Sequence, residues 1–372
     1  MESTLRNMLL IIKSVSGCNL SCKYCYMNAG SRPSITIMPE EILKKTIKEV
    51  AALQLDRIEF DWHGGEPLIA KSDFYKKAKE LQLKYISTHT KVKNCLQSNG
   101  TLITDDWISF FIDYGFGVGV SIDGPEDIHN SNRCFKSGEG SYLSVIQGIK
   151  ALQEKGIDVH VMPVVTEASA HKAKEIFDFF VGNGINHLAF TPCFQKSSGI
   201  GQLYEDFSKF IVRPESFGKF MVDIYDLWME QNNPDISIRY LEQIIKMLLG
   251  GKSSLCIFRK GHFCHIFLTI DTNGDIYPCD SYMSEEFLLG NIKHDTLKEV
   301  LYSHKYNRFK ENVVKVSNDC KCCPIFDICG GGCSFYRYVQ SGDFRSKSYY
   351  CESTKMVVNH ISKKLFSNLK GG

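Results

Sequence analysis

Met8-Leu9-Leu10-Ile11-Ile12-Lys13, followed closely by Cys18-Asn19-Leu20-Ser21-Cys22-Lys23-Tyr24-Cys25, joins a short apolar run to three thiols. The first stretch is brief and rich in Ile and Leu, and it reads as a strand. The second has the spacing C-x3-C-x2-C. Three thiolates this close can hold three irons of a cubane and leave the fourth iron open, where a substrate amine and carboxylate can chelate it. Structural zinc is the competing reading, but such a site closes with four ligands. The nearest spare candidates, His63 and Cys95, belong to other loops.

Outward from this stretch the pattern repeats. Arg57–Trp62, Val92–Gln97, Gly117–Ile122, Asp158–Pro163 and Asn186–Thr191 read as further strands, bounded by turn residues. Pro39–Leu53, Ser72–Tyr85, Asp105–Asp113, Ser141–Lys155 and Ala168–Gly182 between them have helical spacing. Pro39 suits a first helical turn, Glu40 and Glu41 suit its positive end, and Ser72 and Thr104 are candidate N-caps. Six strands alternating with helices imply an α/β fold with a parallel sheet and right-handed crossovers. Periodicity leaves a partial barrel and an open doubly wound sheet both standing. In either, loops at the carboxyl ends of the strands build the site. There stand the three cysteines, then Gly64-Gly65-Glu66-Pro67, then Ser98-Asn99-Gly100.

The pattern breaks near Lys196–Pro214. Helical stretches follow at Glu215–Gln231 and Arg239–Leu249, then a cysteine-rich region, with a closing helix expected over Thr354–Leu369. This divides the chain into 1–213, a helical connection 214–251, and 252–372. Of 15 cysteines, nine lie between Cys256 and Cys351. Export signals and long apolar runs are not evident, so the cytosol is the expected compartment, where thiols stay reduced and disulfides are disfavoured. With 44 Lys and Arg against 42 Asp and Glu, there is no electrostatic reason to expect nucleic acid or an anionic membrane as partner.

The N-terminal cysteine motif, with Tyr24 before its third cysteine, resembles the signature of the radical S-adenosylmethionine (SAM) superfamily. The resemblance covers about the first 195 residues and implies a partial (β/α)6 barrel with Cys18, Cys22 and Cys25 on a [4Fe–4S] cluster. Gly64, Gly65, Glu66 and Pro67 match the motif that meets the SAM amino group. Gln97-Ser98-Asn99-Gly100 and Ser121-Ile122-Asp123-Gly124-Pro125 match stretches lining the SAM pocket, and Arg133 would meet the SAM carboxylate.

The C-terminal spacing, Cys264 and Cys279, then Cys320-x2-Cys323-x5-Cys329-x3-Cys333, then Cys351, resembles the iron–sulfur SPASM domain of such enzymes. That resemblance places Cys256, Cys264, Cys279 and Cys333 on one auxiliary [4Fe–4S] cluster. It places Cys320, Cys323, Cys329 and Cys351 on a second, making three clusters in all. A pair of zinc knuckles is the other reading of this region. Cys95, Cys134, Cys193 and Cys322 are left as ordinary small apolar residues. Gly330-Gly331-Gly332 lacks the Lys-Ser/Thr of a phosphate loop and suits close approach of backbone to a cluster.

The resemblance further implies one-electron cleavage of SAM and hydrogen abstraction from a peptide or protein substrate. An electron donor such as flavodoxin or ferredoxin would be a partner. In Tyr277-Pro278-Cys279-Asp280-Ser281-Tyr282, Asp280 matches the proposed base of anaerobic sulfatase-maturating enzymes, which oxidise Cys or Ser to formylglycine; a turn cap is its ordinary alternative. The other group, maturases that cross-link ribosomally made precursor peptides, is favoured by Trp62-His63-Gly64-Gly65, because the sulfatase group tends to carry Gln at the His63 position. Gly138–Tyr142 leans the same way. Peptide cross-linking is therefore the first expectation, formylglycine formation the alternative, and a non-catalytic iron–sulfur or zinc protein the second. Seventeen residues precede Cys18, too few for a leader-binding domain, so a precursor peptide would be read by the barrel and appendage or by another chain.

Overall fold

The structure is a computed structural model, and it describes residues 6–27, 29–32, 34–194, 207–259 and 262–367. Most of the expected break at Lys196–Pro214 lies outside them.

Asn7–Ile12 (β1), Arg57–Trp62 (β2), Lys91–Ser98 (β3), Phe116–Val120 (β4) and His160–Val161 (β5) lie side by side in chain order. His187–Leu188 is the sixth strand, and every neighbouring pair is parallel. Crossover helices such as Glu40–Ala52 (α1), Lys71–Tyr85 (α2) and Asp105–Tyr114 (α3) connect them. The doubly wound order expected of an open sheet is absent among the described residues; the strands follow one another as in a partial barrel, with no reversal.

Side-chain alternation explains the two faces. In β2, Ile58, Phe60 and Trp62 are buried while Glu59 and Asp61 are only partly covered. In β3, Asn94, Leu96 and Ser98 are buried, whereas Cys95 and Gln97 are half-buried. A period of two sends one set beneath the helices and the other toward the concave side. Ile12, Trp62 and Leu96 share one register line, so the loops after these strands open at one rim.

The other edge of β1 is closed from a distance. Phe267–Ile270 pairs with it in parallel, Ile12 opposite Ile270, and Asp275–Tyr277 and Gly290–Asn291 continue the sheet antiparallel. The cysteine-rich region therefore grows out of the barrel's own sheet. Cys351–Ser367 closes the chain against Pro214–Gln231.

Several sequence expectations shift. The fifth and sixth strands pair over two residues each, and the chain then diverts into a separate ladder of Val164–Val165 with Thr191–Pro192. Pro163, which has no N–H to give, stands at the divergence. Pro39 is the N-cap of α1, one place before the first turn. Ser72 lies inside α2, whose N-cap is Ala70; Thr104 holds the N-cap position of α3 without a side-chain hydrogen bond. Ala168–Gly182 divides into a 3-10 turn, Ser169–His171, and a helix, Ala173–Gly182. The closing helix starts at Cys351 rather than Thr354. No described helix is long and apolar enough to cross a membrane.

Candidate active site

Cys18 and Tyr24 are buried and Cys22 and Cys25 half-buried in the loop after β1. Burial pushes the thiols of Cys18 and Cys22 up to about 12, so they stay protonated until a metal supplies compensating charge. The Leu20 amide donates to Cys18 Sγ at 3.3 Å, and Asn99 Nδ2 approaches the same sulfur at 3.5 Å. These donors suit a thiolate that keeps negative charge when bound to iron.

The loop after β2 packs directly behind this one. A Cβ on Gly65 (φ +58°) would stand 2.2 Å from the Gly17 carbonyl oxygen, so only glycine fits. Glu66 is fully buried. One carboxylate oxygen accepts from the Leu68 amide and Ser98 hydroxyl, both at 2.9 Å, and the other from the Asn99 amide at 2.7 Å. Glu66 thus ties the second and third strand ends together. Burial outweighs these donors and raises its carboxyl to about 7. Gln97 Nε2 donates to Ser121 Oγ at 3.1 Å, linking the third and fourth.

Asp123 is likewise committed within the protein. It accepts from the Tyr24 hydroxyl, from Arg133 Nε at 3.1 Å and from the Val164 amide at 3.0 Å. The Arg133 guanidinium also lies 5.3 Å from the Tyr24 ring centroid. Arg133 is therefore joined to Asp123 and Tyr24, and its charge acts on Cys22. The structure brings the expected Tyr24, Gly64, Gly65, Glu66, Pro67, Gln97, Asn99, Ser121, Asp123 and Arg133 to one rim around the three cysteines.

Asp280 reaches this rim from the appendage. Tyr26 donates to Asp280 Oδ2 at 3.1 Å, and His63 Nε2 lies 3.5 Å from the same oxygen. The fully buried Lys13 places its ammonium 3.3 Å from the Tyr26 hydroxyl and 3.4 Å from His63. Burial, then the Asp280 charge, holds the Tyr26 phenol well above its ordinary pKa, so it is a donor. Asp280 is thus more than a turn cap. Sequence reading missed Lys13 and Tyr26. One directly follows β1 and the other directly follows Cys25, but no local pattern joins either to Asp280.

The auxiliary cysteines form two groups. Cys320, Cys323, Cys329 and Cys351 line one small cavity of about 20 Å³. Cys256, Cys264 and Cys333 lie close enough to disfavour one another's ionisation, with the Cys279 and Cys264 charges both acting on Tyr282. The all-sulfur donor sets, four cysteines around one cavity and a second group of four, fit iron–sulfur clusters. Of the four cysteines read as ordinary small apolar residues, Cys193 is buried, Cys95 and Cys134 are half-buried and Cys322 is exposed.

Comparison with known proteins agrees with this geometry. Residues 12–180 match the radical SAM superfamily, and residues 263–324 match the iron-sulfur cluster-binding SPASM domain. A cysteine-type anaerobic sulfatase-maturating enzyme of Clostridium perfringens is 32% identical over 367 residues, 96% of this chain and 97% of its own. A serine-type enzyme of Bacteroides thetaiotaomicron is also 32% identical, over 95% of this chain and 89% of its own. The solved structure of native anSMEcpe with bound AdoMet and Cp18Cys peptide superposes with a TM-score of 0.86 at 30% identity, covering 99% of this chain and 100% of that one.

A parallel partial barrel with a three-cysteine loop at its rim defines the radical SAM class. The chain belongs to the radical SAM enzymes that carry a SPASM domain, and cysteine-type and serine-type anaerobic sulfatase-maturating enzymes resemble it along nearly its whole length. The alternative weighed from the sequence is accordingly better supported than peptide cross-linking.

Proposed function

We propose that this enzyme oxidises a cysteine or serine side chain of a protein substrate to formylglycine, using three [4Fe–4S] clusters. The observation that carries the reading is Asp280, held by Tyr26 and His63 beside Cys279 at the rim that presents Cys18, Cys22 and Cys25. Full-length similarity to both cysteine-type and serine-type maturases supports it.

SAM on the first cluster would supply a 5′-deoxyadenosyl radical, formed by one-electron cleavage, that takes a hydrogen atom from the substrate Cβ. Asp280 is placed to accept the thiol or hydroxyl proton. The remaining electron needs an acceptor, which auxiliary clusters held by Cys256, Cys264, Cys279 and Cys333 and by Cys320, Cys323, Cys329 and Cys351 would supply. Serine then becomes the aldehyde directly; cysteine becomes a thioaldehyde, which water converts to the aldehyde with loss of hydrogen sulfide. Lys13 stands beside Tyr26 and His63, the two groups that contact Asp280, and so braces that cluster. The buried Glu66 and Asp123 networks fix the loops around the SAM site, so their work is orientation.

The test is anaerobic turnover with a sulfatase-derived peptide containing a single cysteine or serine at the target position. The expected product carries an aldehyde that a hydrazide reagent captures. A product lacking two hydrogens but unreactive to hydrazide would instead support cross-linking, the reading that His63 before Gly64–Gly65 favoured. Asp280→Asn is expected to keep 5′-deoxyadenosine formation while lowering aldehyde formation about a hundredfold, the lower end of general-base contributions.

A further inference from the structure

Arg337 is completely buried. Its guanidinium donates through Nε to the Phe344 carbonyl at 3.0 Å and through Nη1 to the Gly331 and Gly332 carbonyls, both at 3.2 Å. Nη2 donates to the Val313 carbonyl. Among the described residues no carboxylate pairs with it. A buried cation neutralised only by carbonyl dipoles is costly unless a negative partner is nearby.

Its position supplies that partner twice. Gly331 lines the cavity enclosed by Cys320, Cys323, Cys329 and Cys351. Gly332 directly precedes Cys333 of the other group and lines a second cavity, about 200 Å³, together with it. Both glycines have positive φ, +87° and +71°. A Cβ on Gly331 would stand 3.1 Å from Arg337 Nη1 and 2.7 Å from Val316 Cγ1. The glycine run therefore makes room for a guanidinium as well as for a cluster. The Arg337 charge also acts on thiols of both groups, Cys264 in one and Cys320 in the other.

We propose that Arg337 is a shared electrostatic positioning residue that raises the reduction potentials of both auxiliary clusters together. Reduction adds one negative charge to a cluster, and a nearby buried cation stabilises the reduced form more than the oxidised one. The effect favours the clusters as acceptors of the electron that the oxidised substrate gives up. This inference rests on the reading of two auxiliary [4Fe–4S] clusters.

The experiment is a redox titration of the reconstituted, full-length enzyme followed by electron paramagnetic resonance, with iron content measured on each sample. Arg337→Gln retains donors and removes the charge. It is expected to lower the reduction equilibrium of each auxiliary cluster about tenfold, a shift of ~59 mV to more negative potential for a one-electron couple. Arg337→Lys should recover part of that shift. Val316→Asp leaves Arg337 and its carbonyl bonds in place but sets a carboxylate beside it; both potentials should again fall. This second variant decides the matter where Arg337→Gln fails to retain iron. Full iron content with both potentials unchanged in Val316→Asp overturns the inference, since a merely structural arginine would alter iron retention or melting and leave the potentials alone. Absence of auxiliary iron from the wild-type enzyme would instead remove the cluster reading itself, and this inference with it.

Discussion

Single residues at the rim carry opposite electrostatic tasks. Tyr26 donates a hydrogen bond to Asp280 with Lys13 behind it, whereas Glu66 is buried so deeply that its own charge is disfavoured. His63 shares the Asp280 oxygen with Tyr26. His63→Gln keeps a polar group of similar reach and should leave aldehyde formation within about threefold, while His63→Ala should lower it about tenfold without affecting 5′-deoxyadenosine release. That tenfold ratio corresponds to ~1.4 kcal/mol. Equal loss in both variants would show that ring packing matters rather than the polar contact. Glu66 makes a separate pH dependence. Its folded carboxyl is raised from 4.5 to about 7. Between those values the unfolded chain has released a proton that the folded chain still holds. Stability present below pH 4.5 is therefore lost as pH rises toward 7, by about 3 kcal/mol. Urea unfolding of iron-free protein should show this decline, and Glu66→Gln, less stable at low pH because an amide cannot accept all three donors, should flatten it.

Elements place these residues, and they differ in how far sequence reveals them. The closing helix Cys351–Ser367 starts at a cysteine that shares a cavity with Cys320, Cys323 and Cys329, and lies on Pro214–Gln231 with almost no clearance at Gly218. A Cβ there would stand 2.9 Å from Ser353 Cα and 2.9 Å from Met356 Sδ. Gly218→Val should push the helix off and carry Cys351 away from Cys320, Cys323 and Cys329. Iron should fall by about four atoms per chain, one cubane, while 5′-deoxyadenosine formation survives; intact iron content would mean that the interface yields. This contact and the meeting of Asp280 with Tyr26 were not legible, although Asp280 itself was, as was the barrel. The alternating β2 and the cysteine loop after β1 are local patterns, set by residues a few positions apart. Tyr26 and Asp280 are 254 positions apart. Their meeting depends on Phe267–Ile270 choosing β1 as its neighbour, and a four-residue apolar strand does not announce its partner. The short pairing of His160–Val161 escaped notice for a related reason, because Pro163 diverts a run whose composition suits a longer strand. Peptide cross-linking is favoured in the sequence on His63 and the Gly138–Tyr142 stretch, short local features that do not show the contact placing the His63 ring beside Asp280.

At the scale of the whole molecule, barrel and appendage are one sheet. Lys13 N donates to the Ile270 carbonyl at 2.9 Å, and Thr272 Oγ1 donates to the Lys13 carbonyl at 2.9 Å, so the strand carrying Lys13 is held by the region that delivers Asp280. The appendage thus covers the β1 edge, brings Asp280 to the rim and gathers the auxiliary cysteines. These tasks can be separated. A chain ending at residue 251 loses Phe267–Ile270 and leaves the apolar β1 run with an open edge, a template for aggregation. It is expected to be largely insoluble and to yield no 5′-deoxyadenosine. Full-length protein with Cys320, Cys323, Cys329 and Cys351 all replaced by alanine keeps the strand and its register. It should remain soluble and still cleave SAM under strong reductant, while aldehyde formation drops because one electron acceptor is gone. Soluble fraction, 5′-deoxyadenosine and aldehyde measured side by side on the two variants distinguish the roles. If the shortened chain is soluble and cleaves SAM as the intact enzyme does, the barrel does not need its C-terminal strand, and the dependence of β1 on that pairing is wrong.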